Sequence, residues 1–342
     1  MGEEKNMRTG WKEHSLTLQS PKNILIIRLG ALGDFVQSFG PFQAFRSAYP
    51  QAHITLLTTR SFVALACMSP WFDTVEEDIR PAWTDWRGLA KLRKRFRQYD
   101  LVFDLQTSRR TARYFWLAHW GGGLGKKEKK EKSLWSTHVR GASLCHVNPW
   151  RNHMHTYARQ RDQLRYAGVT LNTLPEISWL RDAGLRDLKT RHFRTLLTEP
   201  YALLVPGASA HRPGKRWSVH GYAELARTLA AQGIRPVVIG AENEKNLAIE
   251  ISSACSTALD LTGQTSLWEL AGLASRAWGA IGNDTGPMHL AAVMGCRCLV
   301  LFSSESIPYL TIPIGRFPQQ IRSLWVYNLS LLSVSKVIAA LW

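Results

Sequence analysis

The sequence predicts an α/β protein made of two Rossmann-like, doubly wound lobes that follow one another in the chain and face across a cleft. Three observations predict it. Short, continuously apolar runs such as NILIIR (Asn23–Arg28) and YALLV (Tyr201–Val205) have the composition of parallel strands buried on both faces. Each run leads through a glycine-containing turn into a helix-like stretch, and this strand-helix alternation recurs. It breaks at a linker around 175–198 and starts again, which in a chain of 342 residues matches two domains of roughly 150 each.

A polar leader (1–22) precedes the first lobe (23–178). After the first strand, Gly30, Gly33 and Asp34 form a turn, and Phe35–Tyr49 reads as a helix. His53–Thr58 is the next strand, Arg60–Met68 a helix, Asp85–Arg97 a basic amphipathic helix and Asp100–Leu105 a strand. The glycine-rich, charged stretch 121–132, ending in KKEKKEK, is an exposed insertion. In the second lobe (179–323) the strands are Tyr201–Val205, Pro236–Ile239, Trp278–Ile281 and Arg297–Phe302. Its helices are Ser218–Gln232, closed by Gly233, then Asn243–Ala254, Leu267–Ala274 and Met288–Met294. The apolar tail 324–342 is expected to be a helix packing back on the first lobe. Sheets of this kind bind ligands at the carboxyl ends of their strands, so the cleft is where function is sought.

Apolar residues at 45% and charged residues at 20% exclude a disordered chain, a fibrous repeat and a multi-span membrane protein. The formal charge of +17, from 43 Lys+Arg against 26 Asp+Glu, calls for an anionic partner. It is regional: Asp85–Arg165 holds 19 Lys+Arg and 6 Asp+Glu, a net of +13, leaving +4 elsewhere. Seven of the 14 tryptophans lie between Trp71 and Trp150. Tryptophan and cations together suit an anionic membrane surface, whereas no nucleic-acid-binding motif is present and nucleic acid is not expected as a partner. Five cysteines form no disulfide framework and fit a reducing compartment. The first twenty residues have no apolar core of a secretory signal, and no run approaches the ~18 apolar residues of a spanning helix. The expectation is a cytosolic protein that touches a membrane from that side.

Four turns carry the chemistry. In RLGALGD (Arg28–Asp34) the glycines permit a tight turn at a helix start, and Asp34 is either an ordinary helix-start acid or a general base projecting into the cleft. The second lobe opens with Pro206-Gly207-Ala208-Ser209 and a loop holding His211, Arg212, Lys215 and Arg216, a cradle for an anion with Lys215 and Arg216 able to neutralise phosphate. Glu242 ends the next strand, where a carboxylate can accept from ribose hydroxyls or simply complement a helix dipole. Ser266 and Glu269 read as a capping box. In GNDTGPMHLAA (Gly282–Ala292), Asp284 and Thr285 cap a helix with Pro287 in its first turn, an N-terminus suited to a diphosphate, with His289 nearby as a donor and not as a metal ligand. His146, His153 and His155 lack partners at ligand spacing, and no metal site is expected. Cys296 and Cys298 are expected in the core.

RLGALGD, DLVFDLQ (Asp100–Gln106), GASAHRPGKRW (Gly207–Trp217), IGAENE (Ile239–Glu244), LTGQTSLWEL (Leu261–Leu270) and GNDTGPMHLAA, in this order over residues 23–302, resemble glycosyltransferase family 9, the lipopolysaccharide heptosyltransferases, which have the GT-B fold. The resemblance implies a metal-independent, inverting transfer from a nucleotide-diphosphate sugar, commonly ADP-heptose, to a lipopolysaccharide-core acceptor, with no cofactor. It makes Asp34 the general base and Lys215 the cation on the donor diphosphate. It places Ser209, Asp284, Thr285, Gly286 and His289 at the donor-binding turns, Glu242 on the ribose and Thr265 at the nucleoside. The implied place is the cytoplasmic face of the inner membrane, peripherally attached. Where the family has His or Thr after the aspartate, this chain has Phe35-Val36-Gln37-Ser38. The alternatives are a transferase for another nucleotide-sugar and a non-catalytic basic module for anionic glycolipid or nucleic acid.

Overall fold

A computed structural model describes residues 21–119, 133–171, 173–190, 196–209 and 211–342, so the leader and the KKEKKEK stretch lie outside the described residues. The first lobe runs β1 (Asn23–Ile27), α1 (Leu32–Gln37), α2 (Phe39–Ala48), β2 (His53–Thr58), α3 (Arg60–Cys67), β3 (Thr74–Glu77), α4 (Trp86–Phe96), β4 (Leu101–Asp104), α5 (Arg109–His119), β5 (Leu134–Thr137), β6 (Leu144–Cys145) and α6 (Thr156–Tyr166). Helix α7 (Ser178–Thr190) leads to β7 (Tyr201–Val205), α8 (Val219–Ala231), β8 (Arg235–Val238), α9 (Lys245–Ala254), β9 (Leu259–Asp260) and α10 (Leu267–Ala274). The chain ends with β10 (Gly279–Asn283), α11 (Gly286–Val293), β11 (Cys298–Phe302), α12 (Pro308–Thr311), β12 (Ile321–Trp325) and α13 (Val334–Ala339).

Both sheets are six-stranded, with orders β3-β2-β1-β4-β5-β6 and β12-β11-β10-β7-β8-β9, and every pairing is parallel. Each order reverses once, between β1 and β4 in the first sheet and between β7 and β10 in the second, and those are the crevices in which such sheets hold ligands. Alternation along the strands sorts the core. Ile24 and Ile26 of β1 join a central cluster with Phe35, Phe39, Phe45 and Leu290, while Leu25 and Ile27 pack outward with Leu92, Phe96 and Phe115. On the second sheet Leu299 and Leu301 face out, with Trp217 and Tyr222, and Val300 and Phe302 face in.

The expected helix Phe35–Tyr49 is two helices, because Ser38 ends α1 and begins α2, its hydroxyl donating to the Asp34 carbonyl at 2.9 Å. Strand β3 (TVEE) lacks an apolar run because it sits half-exposed on the sheet edge. The tail differs from the expectation. Residues 321–325 extend the second sheet as β12, and α13 packs on α8 of the second lobe, not on the first lobe. The cause is a matched apolar surface: Leu329, Leu332 and Val337 are buried beside Trp217 and Tyr222, and the Trp217 indole donates to the Leu332 carbonyl at 2.8 Å. Cys296 and Cys298 are both buried, as expected, and all five cysteines are free thiols.

Candidate active site

The first switch point places Asp34 in the first turn of α1, its side chain 42% exposed toward solvent. Beneath it lies Arg28, 2% exposed, at the end of β1. Arg28 Nη1 donates to the Leu105 carbonyl at 2.6 Å and Nε to the Asp34 carbonyl at 3.2 Å, while Nη2 stands 3.3 Å from Asp34 Oδ1. A buried guanidinium locked to two backbone oxygens therefore fixes the carboxylate's position and compensates its charge. Two cations from the chain after β6 stand next to one another here, and one of them, Arg159, faces this acid. Arg159, half-buried on α6, has no ion pair or hydrogen bond among the described residues, and burial lowers its pKa while the charge of Asp34 supports it. Arg151 donates to Thr107 Oγ1 at 2.5 Å, its Nε has no partner, and burial together with Arg159 brings it down to about 10.

The second switch point brings together the two turns that the sequence offers as anion cradles. Lys215 Nζ lies 2.7 Å from Asp284 Oδ2, which also accepts from Ser306 Oγ at 2.7 Å. Thr285 occupies the N-cap of α11 without capping it, and its buried hydroxyl has no partner. Asn283 is the clamp behind both turns. Fully buried, it donates to the Pro206 carbonyl at 2.8 Å and the Gly207 carbonyl at 3.2 Å, and accepts from the Trp217 amide and the Tyr222 hydroxyl. Arg216 is spent structurally, donating to the Ala208 carbonyl at 2.9 Å. Ser209 is exposed beside this loop.

The two acids that end β8 divide their roles. Glu244 caps, accepting from the Ala241 amide at 2.9 Å, whereas Glu242 is 72% exposed with Lys245 Nζ at 3.6 Å. The Glu242 carboxylate lies over Gly263, whose left-handed backbone (φ +72°) favours glycine at this turn. Thr265 is half-buried next to the Ser266–Glu269 capping box, which forms as expected.

The lobes meet at α1 and α11. A Cβ on Gly33 would come 2.7 Å from His289 Cδ2, and one on Gly286 would come 2.6 Å from Leu32 Cβ, so two glycines permit the close approach. His289 is 7% exposed, and burial pulls its imidazole down to about 4 despite the nearby Asp284 and Asp34. Its Nδ1 is 3.0 Å from Gln37 Nε2, one of the residues that departs from the family pattern. With the amide donating, the ring proton sits on Nε2, which makes neutral His289 a donor. His155 Nε2, 2.8 Å from the Ile312 carbonyl, and Arg316, donating to the Pro175 carbonyl at 2.9 Å, tie the lobes further. His146 is held by Asp162 at 2.7 Å, so the three histidines of 146–155 do not converge. Among the described residues no group of three His, Cys, Asp or Glu side chains could hold a metal ion, and no helix is long and apolar enough to cross a membrane.

The cleft thus joins an exposed, oriented carboxylate on one lobe to a lysine, a helix N-terminus and an outlying glutamate on the other. Arg28, Asn283, Ser306, Arg151 and Arg159 were not singled out from the sequence. Arg28 and Asn283 stand inside the motifs that were, while Ser306 and the two α6-side arginines are brought in only by the fold. Two Rossmann-like lobes with such a cleft are the architecture of a GT-B glycosyltransferase.

The chain belongs to glycosyltransferase family 9 (heptosyltransferase), whose family model matches residues 89–328. It is 25% identical over 308 residues to lipopolysaccharide core heptosyltransferase OpsX of Haemophilus influenzae, covering 87% of this chain and 83% of that protein. It is 26% identical over 328 residues to lipopolysaccharide heptosyltransferase 2 of Escherichia coli, covering 89% of each. Among solved structures, E. coli ADP-heptose lps heptosyltransferase II superposes with a TM-score of 0.68 at 21% identity, covering 93% of this chain and 97% of that one. E. coli heptosyltransferase WaaC with ADP gives 0.69 at 18% identity, covering 93% and 98%.

Proposed function

We propose that this enzyme transfers a heptosyl group from ADP-heptose to a lipopolysaccharide-core acceptor, with inversion at the anomeric carbon and without a metal, at the inner face of the inner membrane. Asp34 Oδ2 takes the proton of the acceptor hydroxyl. The oxygen attacks the anomeric carbon from the face opposite the nucleotide, the bond from that carbon to the diphosphate oxygen breaks, and ADP leaves with the electron pair. Lys215, the amides at the start of α11, the Thr285 hydroxyl and neutral His289 receive the charge that develops on the diphosphate, the work a divalent cation would otherwise do. Glu242 accepts from the ribose hydroxyls and Thr265 lies against the nucleoside. Ser209 and Gly286 line the donor, and Arg151 and Arg159 meet acid groups of the acceptor.

One observation carries this reading. The exposed carboxylate of Asp34 is fixed by a buried arginine on the lobe that faces an anion-binding helix N-terminus, and its charge and that of Asp284 both act on His289 between them. The names of the relatives support the sugar and the acceptor. The test is Asp34→Asn: heptosyl transfer from ADP-heptose falls by about 10²–10⁴ while the affinity for ADP stays within a factor of two or so. Turnover close to wild type would remove Asp34 from the reaction. A thermal-shift panel of nucleotide-sugars names the donor independently, since a ligand selective for the folded state raises its stability.

A further inference from the structure

Helices α4 and α5 cover the face of the first sheet that points away from the second lobe. Their buried sides are apolar, with Leu92, Phe96, Tyr114 and Phe115 packed on the strands. Their outer sides are cationic. The two helices carry eight Arg or Lys, namely Arg87, Lys91, Arg93, Lys94 and Arg95 on α4 and Arg109, Arg110 and Arg113 on α5, and no Asp or Glu. Among the described residues only Arg95 has an ion pair, with Glu76. This charge is interleaved with exposed indoles: Trp86 is 70% exposed, Trp116 55% and Trp83 39%. Guanidinium groups stack on them, Arg87 at 5.1 Å from the Trp86 ring and Arg113 at 5.2 Å from that of Trp83, with Arg110 at 6.0 Å. A merely solvated basic helix keeps its apolar side chains inside, and this face does not.

The position of the face in the fold gives it a use. α4 follows the carboxyl end of β3 and α5 follows that of β4, so Trp83, Trp86, Arg87, Arg109 and Arg110 lie on the same edge of the sheet as Asp34, which follows β1. We propose that this rim, formed by the starts of α4 and α5 with the loop before α4, docks on an anionic lipid bilayer, with the tryptophans at headgroup depth and the cations on lipid phosphates. Docked this way, the enzyme turns the mouth of its cleft toward the membrane, so that a lipid-anchored acceptor reaches Asp34 without leaving the bilayer. This last step rests on the transfer reaction proposed above, whereas the docking itself does not. The acidic residues nearest the rim, Glu77, Asp78 and Asp85, are outnumbered by the cations of the two helices; Asp78 is turned inward onto Tyr114 and Asp85 caps α4. The surface therefore offers net positive charge to a leaflet in which each nearby cation contributes about fivefold in affinity, or about 1 kcal/mol.

The experiment is vesicle co-sedimentation of the full chain, using phosphatidylcholine vesicles with and without one third phosphatidylglycerol. The wild-type protein is expected to bind the anionic vesicles and not the neutral ones. Arg87→Glu with Arg109→Glu should weaken that binding more than tenfold, and Trp86→Ser should weaken it at salt concentrations that screen the charges, while Arg276→Glu on the second lobe changes nothing. Each variant alters exposed residues, and unchanged ADP affinity and transfer to a water-soluble acceptor fragment confirm an intact enzyme. Equal vesicle binding by wild type and the double variant would overturn the proposal. So would a wild-type protein that ignores anionic vesicles but binds RNA, or one whose rim is buried in a dimer that dissociates on Arg87→Glu. Loss of sugar transfer with vesicle binding intact would instead indict the proposed reaction and leave the docking surface standing.

Discussion

Replacing Lys215 separates a structural role from a functional one. Lys215 and Asp284 are only 13% and 6% exposed, and their charged atoms are 2.7 Å apart, so the gross attraction at an effective dielectric of 20 is about 6 kcal/mol. Most of that is offset by the desolvation of both groups, but removing one partner leaves the other charge buried, which typically costs about 3–5 kcal/mol. Lys215→Met is therefore expected to lower folding stability by roughly 3 kcal/mol, with Ser306 still supporting the orphaned carboxylate. Adding Asp284→Asn removes that charge and should restore most of the loss. Donor affinity must behave differently. If Lys215 neutralises the diphosphate, both the single and the double variant lose one charge-assisted contact, worth about 1.5–3 kcal/mol or about 10- to 150-fold in Kd for ADP. Urea unfolding gives the first quantity and titration calorimetry at fixed salt the second. A double variant that regains wild-type ADP affinity would show that Lys215 exists to balance Asp284, and the diphosphate assignment would fall.

Two further perturbations probe the seam between the lobes. Because burial holds folded His289 at about 4, the unfolded chain takes up a proton there from about pH 6.5 downward that the folded protein refuses until about pH 4. Stability should decline as the pH falls through that window, by roughly 3 kcal/mol from this residue, and His289→Gln should flatten the slope; identical slopes would mean that the imidazole is not buried neutral. Gly33→Ala places a methyl 2.7 Å from the His289 ring, and forcing α1 off α11 should cost about 1–3 kcal/mol in stability and reduce kcat. An alanine variant with unchanged kcat would mean that the contact does not set the catalytic geometry.

What the sequence disclosed depended on where the chemistry sits. At a strand end candidate ligand-binding residues are contiguous with the turn that exposes them, so Asp34, Lys215, Glu242 and Asp284 stand out as candidates from local pattern, as do β2, β7 and α10, whose predicted limits coincide with the observed ones. Local pattern was ambiguous wherever a residue could be either a cap or a ligand. At Glu242 and Glu244 only the hydrogen bond to Ala241 decides which acid is committed to the turn. The pattern failed where function or packing depends on distant segments. Nothing near Arg159 marks it as a neighbour of Asp34, because α6 is carried there by the fold, with Gln160 donating to Ser38 Oγ at 3.0 Å and Gln163 to the Asp104 carbonyl at 3.0 Å. The tail was misjudged for the same reason: its apolar residues specify that it must be covered, and only the matching surface of α8 and Trp217 specifies by what. Gln37 shows how the two kinds of information combine. In sequence it is a departure from the family pattern. In the fold it is the partner of His289, 252 positions away, so the departure falls on a side-chain hydrogen bond between α1, which carries Asp34, and α11, and substitutions there act on both lobes at once.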